Sequence, residues 1–237
     1  MKRMSYIAIL GEYASTFTPH VATGIAIRHS SAVLGTAIKG EWVSTQDIDE
    51  SLFSRYSGLW VAPGSPYKNL DRTLWAIERA RTNNVPCFGT CGGFQHMVLE
   101  YARNVLHYQD AQHAEYDPYA STLFISTLTC SLSGREMELT FESGSRVAEI
   151  YGSTSAMEEY YCNFGVEPDK VRLLASSDLR ISGSDSDGEV RVIELPNHPF
   201  YVGTLFVPQT RSTERRPHPL VTAFVAAVAA REPDRVQ

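Results

Sequence analysis

Short apolar runs alternate with segments of helical periodicity in the first half of the chain. Buried strands are predicted where most residues of a short run are apolar, at residues 6–10, 37–43, 59–62 and 85–89. Helices are predicted where apolar residues recur every three to four positions, at residues 20–34, 70–83 and 94–106. This repeated β-α-β order predicts an α/β fold with a doubly wound, mostly parallel sheet flanked by helices.

The second half of the chain has shorter apolar segments separated by turns rich in Ser and Gly. Further strands are predicted at residues 123–128, 136–141, 171–175, 190–195 and 200–206, with a closing helix at residues 220–231. The segments 171–175 and 190–195 are expected to pair across the turn-rich residues 182–188. The sequence therefore predicts a small antiparallel extension of the sheet, with residues 1–237 forming one domain.

Composition and charge narrow the range of partners. The chain is 43% hydrophobic and 20% charged, and 21 Lys and Arg against 27 Asp and Glu give a net charge of -6 at pH 7. This balance excludes the broad cationic surface that binds nucleic acid or an anionic membrane. The first apolar stretch is short and is interrupted at Glu12, and no run of about 18 apolar residues follows, so neither a signal peptide nor a membrane span is expected. We expect a cytoplasmic protein whose partner is a small-molecule substrate or another protein.

Four cysteines occur in the chain, and they lack the paired spacing of zinc ligands. They are Cys87, Cys91, Cys130 and Cys162. We expect reduced thiols and no metal or cofactor. Three of the cysteines are expected to be structural, and one, Cys91, to be chemically active.

Cys91 lies in a GxCxG sequence, from Gly89 to Gly93, between a predicted strand and a predicted helix. This context is typical of a nucleophile elbow, in which a sharp turn presents the side chain above the edge of the sheet. The helix that follows directs its first amides at the sulfur, which activates the thiol and supplies donors for an oxyanion. The alternative is a buried structural cysteine. We predict that Cys91 is a nucleophile and the most reactive of the four cysteines.

The segment GTCGGFQHMVLEYARNVL, residues 89–106, resembles the elbow of the glutaminase domain of CTP synthases, which are class I glutamine amidotransferases. The same resemblance extends to residues 6–13, 59–64, 111–118, 147–152 and 198–208. It implies a class I glutamine amidotransferase-like fold and a cysteine thioester mechanism that releases glutamate and ammonia from glutamine, with Cys91 as the nucleophile. It also implies a separate ammonia-using or biosynthetic partner protein.

Three positions depart from the pattern of that family. The family sequence QFHPE contains the His that acts as general base and the Glu that orients it, and this chain has Val207 and Gln209 at those positions. Neither side chain can accept a thiol proton. Asn163 replaces the Arg that holds the substrate carboxylate, and Ser65 replaces the second glycine of the oxyanion loop. Ordinary glutaminase activity is therefore not expected.

A replacement for the missing base is predicted in the segment DAQHAEYDP. By the resemblance, Glu115 contacts the amino group of the substrate. If the segment is extended, His113 and Glu115 lie on one face, and an imidazole beside a carboxylate is a candidate base and orienter. The alternative is that His113 is a partly exposed loop histidine. Contacts to substrate or oxyanion are further expected from Gly64, Ser65, Gly92, Gln95 and Asn163.

Two functions are consistent with these features. One is a cysteine enzyme of the amidase, hydrolase or transferase type that acts on a small molecule other than free glutamine. The other is a catalytically inactive relative that keeps the fold for binding or regulation. Retention of Cys91 with both flanking glycines favours the enzyme.

Overall fold

The computed structural model describes residues 4–231. Its strands are β1 (Ser5–Leu10), β2 (Ile38–Val43), β3 (Gly58–Val61), β4 (Cys87–Thr90), β5 (Gln112–His113), β6 (Leu123–Thr127), β7 (Arg135–Phe141), β8 (Ser155–Tyr160), β9 (Phe164–Val166), β10 (Arg180–Ser184), β11 (Val190–Glu194) and β12 (Tyr201–Thr204). Its helices are α1 (Thr18–Val33), α2 (Leu52–Arg55), α3 (Leu70–Thr82), α4 (Gly92–Asn104), α5 (Arg146–Tyr151), α6 (Val171–Ala175) and α7 (Pro219–Ala230). None of these helices combines the length and hydropathy needed to cross a membrane.

One large mixed sheet organises the described residues. Its strand order is β2-β1-β3-β4-β12-β11-β10-β7-β8. The strands from β2 to β12 in this order are parallel, and the strands from β11 to β8 continue the same sheet in antiparallel pairs. A second sheet contains β5, β6 and β9. The predicted α/β fold with a large, mostly parallel sheet is confirmed.

Helices cover both faces of the parallel strands, as two neighbouring residues of β3 demonstrate. The ring of Trp60 packs edge-on against Phe224 of α7, with centroids 5.8 Å apart. Val61 points to the opposite face, because successive side chains of a strand alternate, and there it meets the start of α4 at Gly93. The central strands β3, β4 and β12 are buried along their whole length, as expected for strands enclosed on both sides.

The strand predicted at residues 171–175 is wrong, because this segment is the helix α6. Pro168 begins a 3-10 turn that leads directly into the helix, and its fixed φ suits a helical start. The strand that pairs with β11 in place of residues 171–175 is β10, which overlaps the predicted turn at residues 182–184. Gly183 indicated a turn there, but it packs inside the sheet, where a Cβ would lie 2.8 Å from Cγ2 of Val192.

Helix α4 approaches β3 so closely that Gly93 has no room for a side chain. A Cβ atom at Gly93 would lie 2.0 Å from the carbonyl oxygen of Val61 and 2.7 Å from its carbonyl carbon. Both atoms belong to the backbone at the end of a buried strand, so they cannot move aside at low cost. The start of α4 is therefore fixed over the carboxyl end of β3 by a contact that only glycine allows.

We expect Gly93→Ala to lower the free energy of unfolding by about 1–3 kcal/mol or more, because the added methyl group overlaps backbone atoms. Gly24→Ala is the matched control. Nothing lies within 4 Å of a Cβ at Gly24, and alanine is favoured over glycine within a helix, so this change should stabilise by up to about 1 kcal/mol. Urea denaturation, monitored by circular dichroism, measures the free energy of unfolding of both variants. Equal stability of the two variants would contradict the close helix-strand contact.

Candidate active site

Cys91 occupies a single-residue turn between β4 and α4. Its backbone has φ 52 and ψ -109, a left-handed conformation that is unfavourable for any residue with a side chain. The backbone N–H of Cys91 donates to the carbonyl oxygen of Thr204 at 2.9 Å, which ties the turn to the end of the neighbouring strand β12. The nucleophile-elbow geometry expected for this cysteine is present.

The glycines on either side of Cys91 allow this turn. A Cβ at Gly89 would lie 2.3 Å from Sδ of Met97 and 2.8 Å from the carbonyl carbon of Gly93. The strand before the turn and the helix after it therefore pack backbone against backbone. Cys91 stands at the point of closest approach, where its side chain has to project away from the sheet.

A loop after β3 lies against the elbow. The backbone nitrogen of Ser65 is 3.3 Å from the position that a Cβ of Gly92 would take, and Gly64 has a φ of +92, in the left-handed region. The first amides of α4 have no partner within the helix. The amide of Ser65 and the first amides of α4 therefore lie close together at the start of the helix that follows Cys91, and unpaired backbone amides are the usual donors to an oxyanion.

A cavity of about 170 Å³ opens beside Cys91. Residues predicted from the sequence that line it are Gly64, Ser65, Cys91, Gln95, Glu115 and Asn163. Its wall is completed by Phe17, Tyr161, Cys162 and Phe164. The structure thus brings most of the predicted site residues together, while His113 lies behind the wall.

Glu115 supplies the carboxylate of the cavity. Its oxygen Oε2 is buried and has no hydrogen-bond partner among the described residues. Burial raises the pKa of the Glu115 carboxyl, and a hydrogen bond from Ser65 lowers it in part. A buried acceptor without a partner is costly, so this oxygen is suited to receive a proton or a donor group of a ligand.

His113 is fully buried and has both ring nitrogens engaged. Its Nε2 lies 3.0 Å from Oε1 of Gln95, and its Nδ1 accepts a hydrogen bond from the backbone N–H of Glu115 at 3.0 Å. These partners require the neutral ring with the proton on Nε2. Burial, with a smaller contribution from nearby His96, lowers the pKa of His113 to about 2.

The predicted pairing of an imidazole with a carboxylate is therefore wrong. The chain turns immediately after His113, as the backbone hydrogen bond from the Tyr116 N–H to the His113 carbonyl shows. The ring consequently meets the amide of Glu115, while the Glu115 carboxylate lies in the cavity. The alternative of a partly exposed loop histidine is also wrong, because His113 has no exposed surface.

Gln95 connects His113 to the cavity wall. Its Nε2 donates to the carbonyl oxygen of Phe164 at 2.8 Å, and its Oε1 accepts from His113. The amide group is thus fixed at both ends and holds β9 against α4.

Val207 and Gln209 follow β12 and are both buried. The backbone N–H of Val207 donates to the carbonyl oxygen of Glu159 at 2.8 Å. Nε2 of Gln209 lies 3.3 Å and 3.4 Å from the hydroxyl oxygens of Thr23 and Thr90. Oε1 of Gln209 is buried without a partner among residues 4–231. This region is packed as interior and contributes no lining to the cavity of Cys91.

Asn163 lies at the exposed rim of the cavity. Its Oδ1 accepts a hydrogen bond from the Ser131 hydroxyl at 2.6 Å. This contact occupies part of the hydrogen-bonding capacity of the amide and joins the rim to the loop before β7.

Cys162 is a cavity residue that the sequence alone does not identify. Its thiol donates to the carbonyl oxygen of Leu205 at 3.1 Å. Burial, followed by the hydrogen bond and charge of the neighbouring Cys91 sulfur, raises the pKa of the Cys162 thiol well above its usual range. No motif links the two cysteines, because they come from distant parts of the chain and meet only through the fold.

A family model for glutamine amidotransferase class-I matches residues 24–227, so the chain belongs to the class I glutamine amidotransferase family. Among curated proteins it is similar to CTP synthase from Roseiflexus sp. (strain RS-1), with 32% identity over 96% of this chain and 44% of that protein. It is 31% identical to CTP synthase from Pelotomaculum thermopropionicum over 96% of this chain and 45% of that protein. The chain therefore spans less than half the length of these relatives.

Solved structures share the fold. The glutaminase domain of Trypanosoma brucei CTP synthase with bound acivicin has a TM-score of 0.87 and 23% identity, covering 97% of this chain and 95% of that one. A glutamine amidotransferase from Thermotoga maritima has a TM-score of 0.62 and 9% identity, covering 97% and 100%. These likenesses show that the α/β architecture and the order of its elements are those of class I amidotransferase domains.

The neutral state of His113 generates a prediction about pH. The unfolded chain binds a proton on this ring below about pH 6.5, whereas the folded protein does not. The folded state therefore binds fewer protons. The contribution of neutral His113 to the free energy of unfolding is complete above the pKa that His113 has in the unfolded chain. It is lost as the pH falls towards the pKa that His113 has in the folded protein. Between pH 7 and pH 5 we expect His113 to account for about 2 kcal/mol of lost stability.

The variant His113→Gln isolates this contribution, because its amide can bond Gln95 but cannot be protonated. Urea denaturation at both pH values should give a smaller loss for the variant than for the wild type. His96, whose pKa burial lowers to about 4, contributes equally to both proteins. Nitrogen NMR of the folded protein provides the direct check, and a ring at position 113 that titrates near pH 6.5 would contradict the assigned tautomer.

Proposed function

We propose that this chain is a cysteine-nucleophile enzyme, of the amidase or acyltransferase type, that forms a thioester at Cys91 with a small molecule other than free glutamine. The observation that carries the proposal is the strained backbone of Cys91 at the start of α4, in a cavity that also holds Glu115. Such strain persists only where the surrounding structure fixes it, and it clusters at reactive residues. Membership of the class I glutamine amidotransferase family supports thioester chemistry.

Backbone amides are proposed to stabilise the intermediate. When the sulfur of Cys91 attacks a carbonyl carbon, the carbonyl oxygen becomes anionic. The proposed donors are the first amides of α4, beginning at Gly92, and the amide of Ser65, which lies against Gly92. Each donor of this kind typically contributes about 10²–10³ in rate.

Glu115 is proposed to transfer the proton. It is the one carboxylate among the described residues of the cavity wall, and its Oε2 is free to accept. Its raised pKa makes it a stronger proton acceptor than an ordinary carboxylate. The proton of Cys91 passes to Glu115 as the carbon-sulfur bond forms, and then to the leaving group as its bond to the carbonyl carbon breaks. His113 acts as a positioning residue by holding the amide of Glu115.

The restriction against free glutamine follows from three residues. Val207 and Gln209 stand where the resemblance places a base and its orienting carboxylate, and neither accepts a thiol proton at neutral pH. Asn163 stands where the resemblance places an Arg for the substrate carboxylate, and its amide oxygen is bonded to Ser131. A neutral amide cannot replace a bidentate guanidinium. A substrate without an α-carboxylate suits this rim better.

A partner protein is part of the proposal. We propose that an ammonia-using or biosynthetic protein consumes the group that leaves Cys91, and membership of the class I glutamine amidotransferase family supports this pairing.

We expect p-nitrophenyl acetate, a reactive acyl donor, to release a burst of one nitrophenolate per chain and to leave one acetyl group on Cys91. Mass spectrometry of the tryptic peptide containing residues 82–103 locates the acetyl group. Glu115→Gln should slow the burst by about 10²-fold or more, the usual contribution of a general base. Free glutamine should release no ammonia above background in the same buffer.

Matched variants separate this chemistry from general reactivity. Cys91→Ala should abolish the burst, while Cys130→Ala, which removes an exposed thiol, and Glu50→Gln, on an exposed turn, should leave it unchanged. Acetylation that does not depend on Cys91 would contradict the enzyme and favour the catalytically inactive binding or regulatory relative. Steady, Cys91-dependent release of ammonia from glutamine would contradict the substrate restriction.

A further inference from the structure

Cys91 and Cys162 are both tied to the carboxyl end of β12. The backbone N–H of Cys91 donates to the carbonyl oxygen of Thr204 at 2.9 Å, and the thiol of Cys162 donates to that of Leu205 at 3.1 Å. These anchors are consecutive residues, whose Cα atoms are about 3.8 Å apart. Cys91 and Cys162, which come from distant parts of the chain, both line the wall of one cavity.

Cys91 and Cys162 line the same cavity, and after burial the proximity of Cys91 is the next cause that raises the pKa of the Cys162 thiol. Both cysteines are free, and only 6% of Cys91 and 2% of Cys162 is exposed, so the pair is screened from bulky thiols while the cavity admits small molecules. A disulfide forms without backbone movement only when the two Cα atoms lie within about 7 Å, and two cysteines at the wall of one small cavity are candidates for such a bond.

The surroundings give the two cysteines different roles. Cys91 begins α4, where unpaired amides stabilise negative charge, so its sulfur is the attacking group. Burial raises the pKa of the Cys162 thiol and keeps it protonated, so it does not compete as the attacking group. Once Cys91 has been oxidised, Cys162 is the thiol in the same cavity that is in position to react with it.

We propose that Cys91 and Cys162 form a dithiol site that reduces a hydroperoxide and closes to an intramolecular disulfide. The sulfur of Cys91 attacks the terminal oxygen of the hydroperoxide, the O–O bond breaks, and the departing oxygen takes up a proton as alcohol or water. Cys91 becomes a sulfenic acid. The sulfur of Cys162 then attacks that of Cys91, the S–O bond breaks, and hydroxide leaves with the proton of Cys162 as water. Two electrons pass from the two thiols to the hydroperoxide.

This site goes beyond the proposed acyl transfer and does not depend on it. Disulfide formation requires no acyl substrate and no contribution from Glu115. It has a consequence for that chemistry, because a disulfide at Cys91 removes the sulfur that would form a thioester. Oxidation by a hydroperoxide would therefore stop acyl transfer, and a dithiol reductant would restore it.

The other two cysteines are internal controls. Cys87 is buried within β4 and Cys130 is exposed on a loop, and neither lines the cavity. Tryptic peptides separate the candidates, since residues 82–103 contain Cys87 and Cys91, residues 104–135 contain Cys130 and residues 147–170 contain Cys162.

The test uses the full chain, reduced, treated with an equimolar amount of hydrogen peroxide and then blocked with iodoacetamide in denaturant. We expect non-reducing mass spectrometry to find the peptide of residues 82–103 joined to that of residues 147–170, with fragment ions placing the bond at Cys91. Cys87 and Cys130 should be alkylated. Dithiothreitol should separate the two peptides and return both thiols.

Variants test the order of events. In Cys162→Ser, oxidation should stop at the sulfenic acid of Cys91, so that dimedone labelling of Cys91 rises at least about tenfold over the wild type. In Cys130→Ser, dimedone labelling of Cys91 should equal that of the wild type. Equal labelling of Cys91 in the wild type and in Cys162→Ser would overturn the proposal.

The wild-type protein alone can also overturn the proposal, so the outcome does not rest on the folding of any variant. Sulfinic acid at Cys91 with Cys162 still alkylated, or a disulfide through Cys130, is the contradicting result. Failure here is distinct from failure of the acyl-transfer proposal, because acetylation by p-nitrophenyl acetate and disulfide formation are read on separate samples.

Discussion

The backbone contact between α4 and the carboxyl ends of β3 and β4 is the constraint on which the site depends. Gly89 and Gly93 let strand and helix approach without intervening side chains, so the chain must reverse within one residue. That residue is Cys91, and its left-handed conformation costs on the order of 1–3 kcal/mol. The surrounding packing offsets this cost, because α4 is buried from Gly92 to Ala102. A reactive sulfur is thereby fixed in one orientation.

The rest of the cavity is assembled from loops at the same edge of the sheet. The Ser65 loop adds an amide, the turn after β5 adds Glu115, and the connection from β8 to β9 adds Cys162. The neutral, buried His113 and Gln95, whose amide group makes two hydrogen bonds, hold these loops in place. The unpartnered oxygen of Glu115 is the exception to this otherwise satisfied polar network, and an unpaired buried acceptor costs about 1–3 kcal/mol. Such a cost at a cavity wall is consistent with a group that works on a ligand.

The parallel half of the fold follows from the sequence because each buried strand is a short apolar run and each covering helix has its own periodicity. The antiparallel half follows less well. The segment 171–175 is apolar but helical, and β10 contains serines and Gly183, which indicate a turn although Gly183 packs directly on Val192 of the neighbouring strand. Local pattern cannot separate these cases, since tertiary contacts decide them.

The residues of the site likewise fall into those that the sequence identifies and those that it does not. The GxCxG spacing identifies Cys91, the resemblance to the glutaminase domain adds Gly64 and Ser65, and the structure gathers these residues with Gln95 at one cavity. The position of His113 depended on whether the chain stays extended, and a turn after β5 redirects its ring. Cys162 carries no local signal at all. Cys162 lies between β8 and β9, which belong to different sheets. Its proximity to Cys91 is therefore revealed only by the topology.

The central claim is that the elbow makes Cys91 an activated thiol, and competitive alkylation of the reduced protein with substoichiometric iodoacetamide tests it most directly. Peptide mass spectrometry ranks the four cysteines by rate. We expect Cys91 to be alkylated first, ahead even of the exposed Cys130, because the amides of α4 assist its sulfur. Alkylation of Cys130 or Cys162 as fast as that of Cys91 would contradict it.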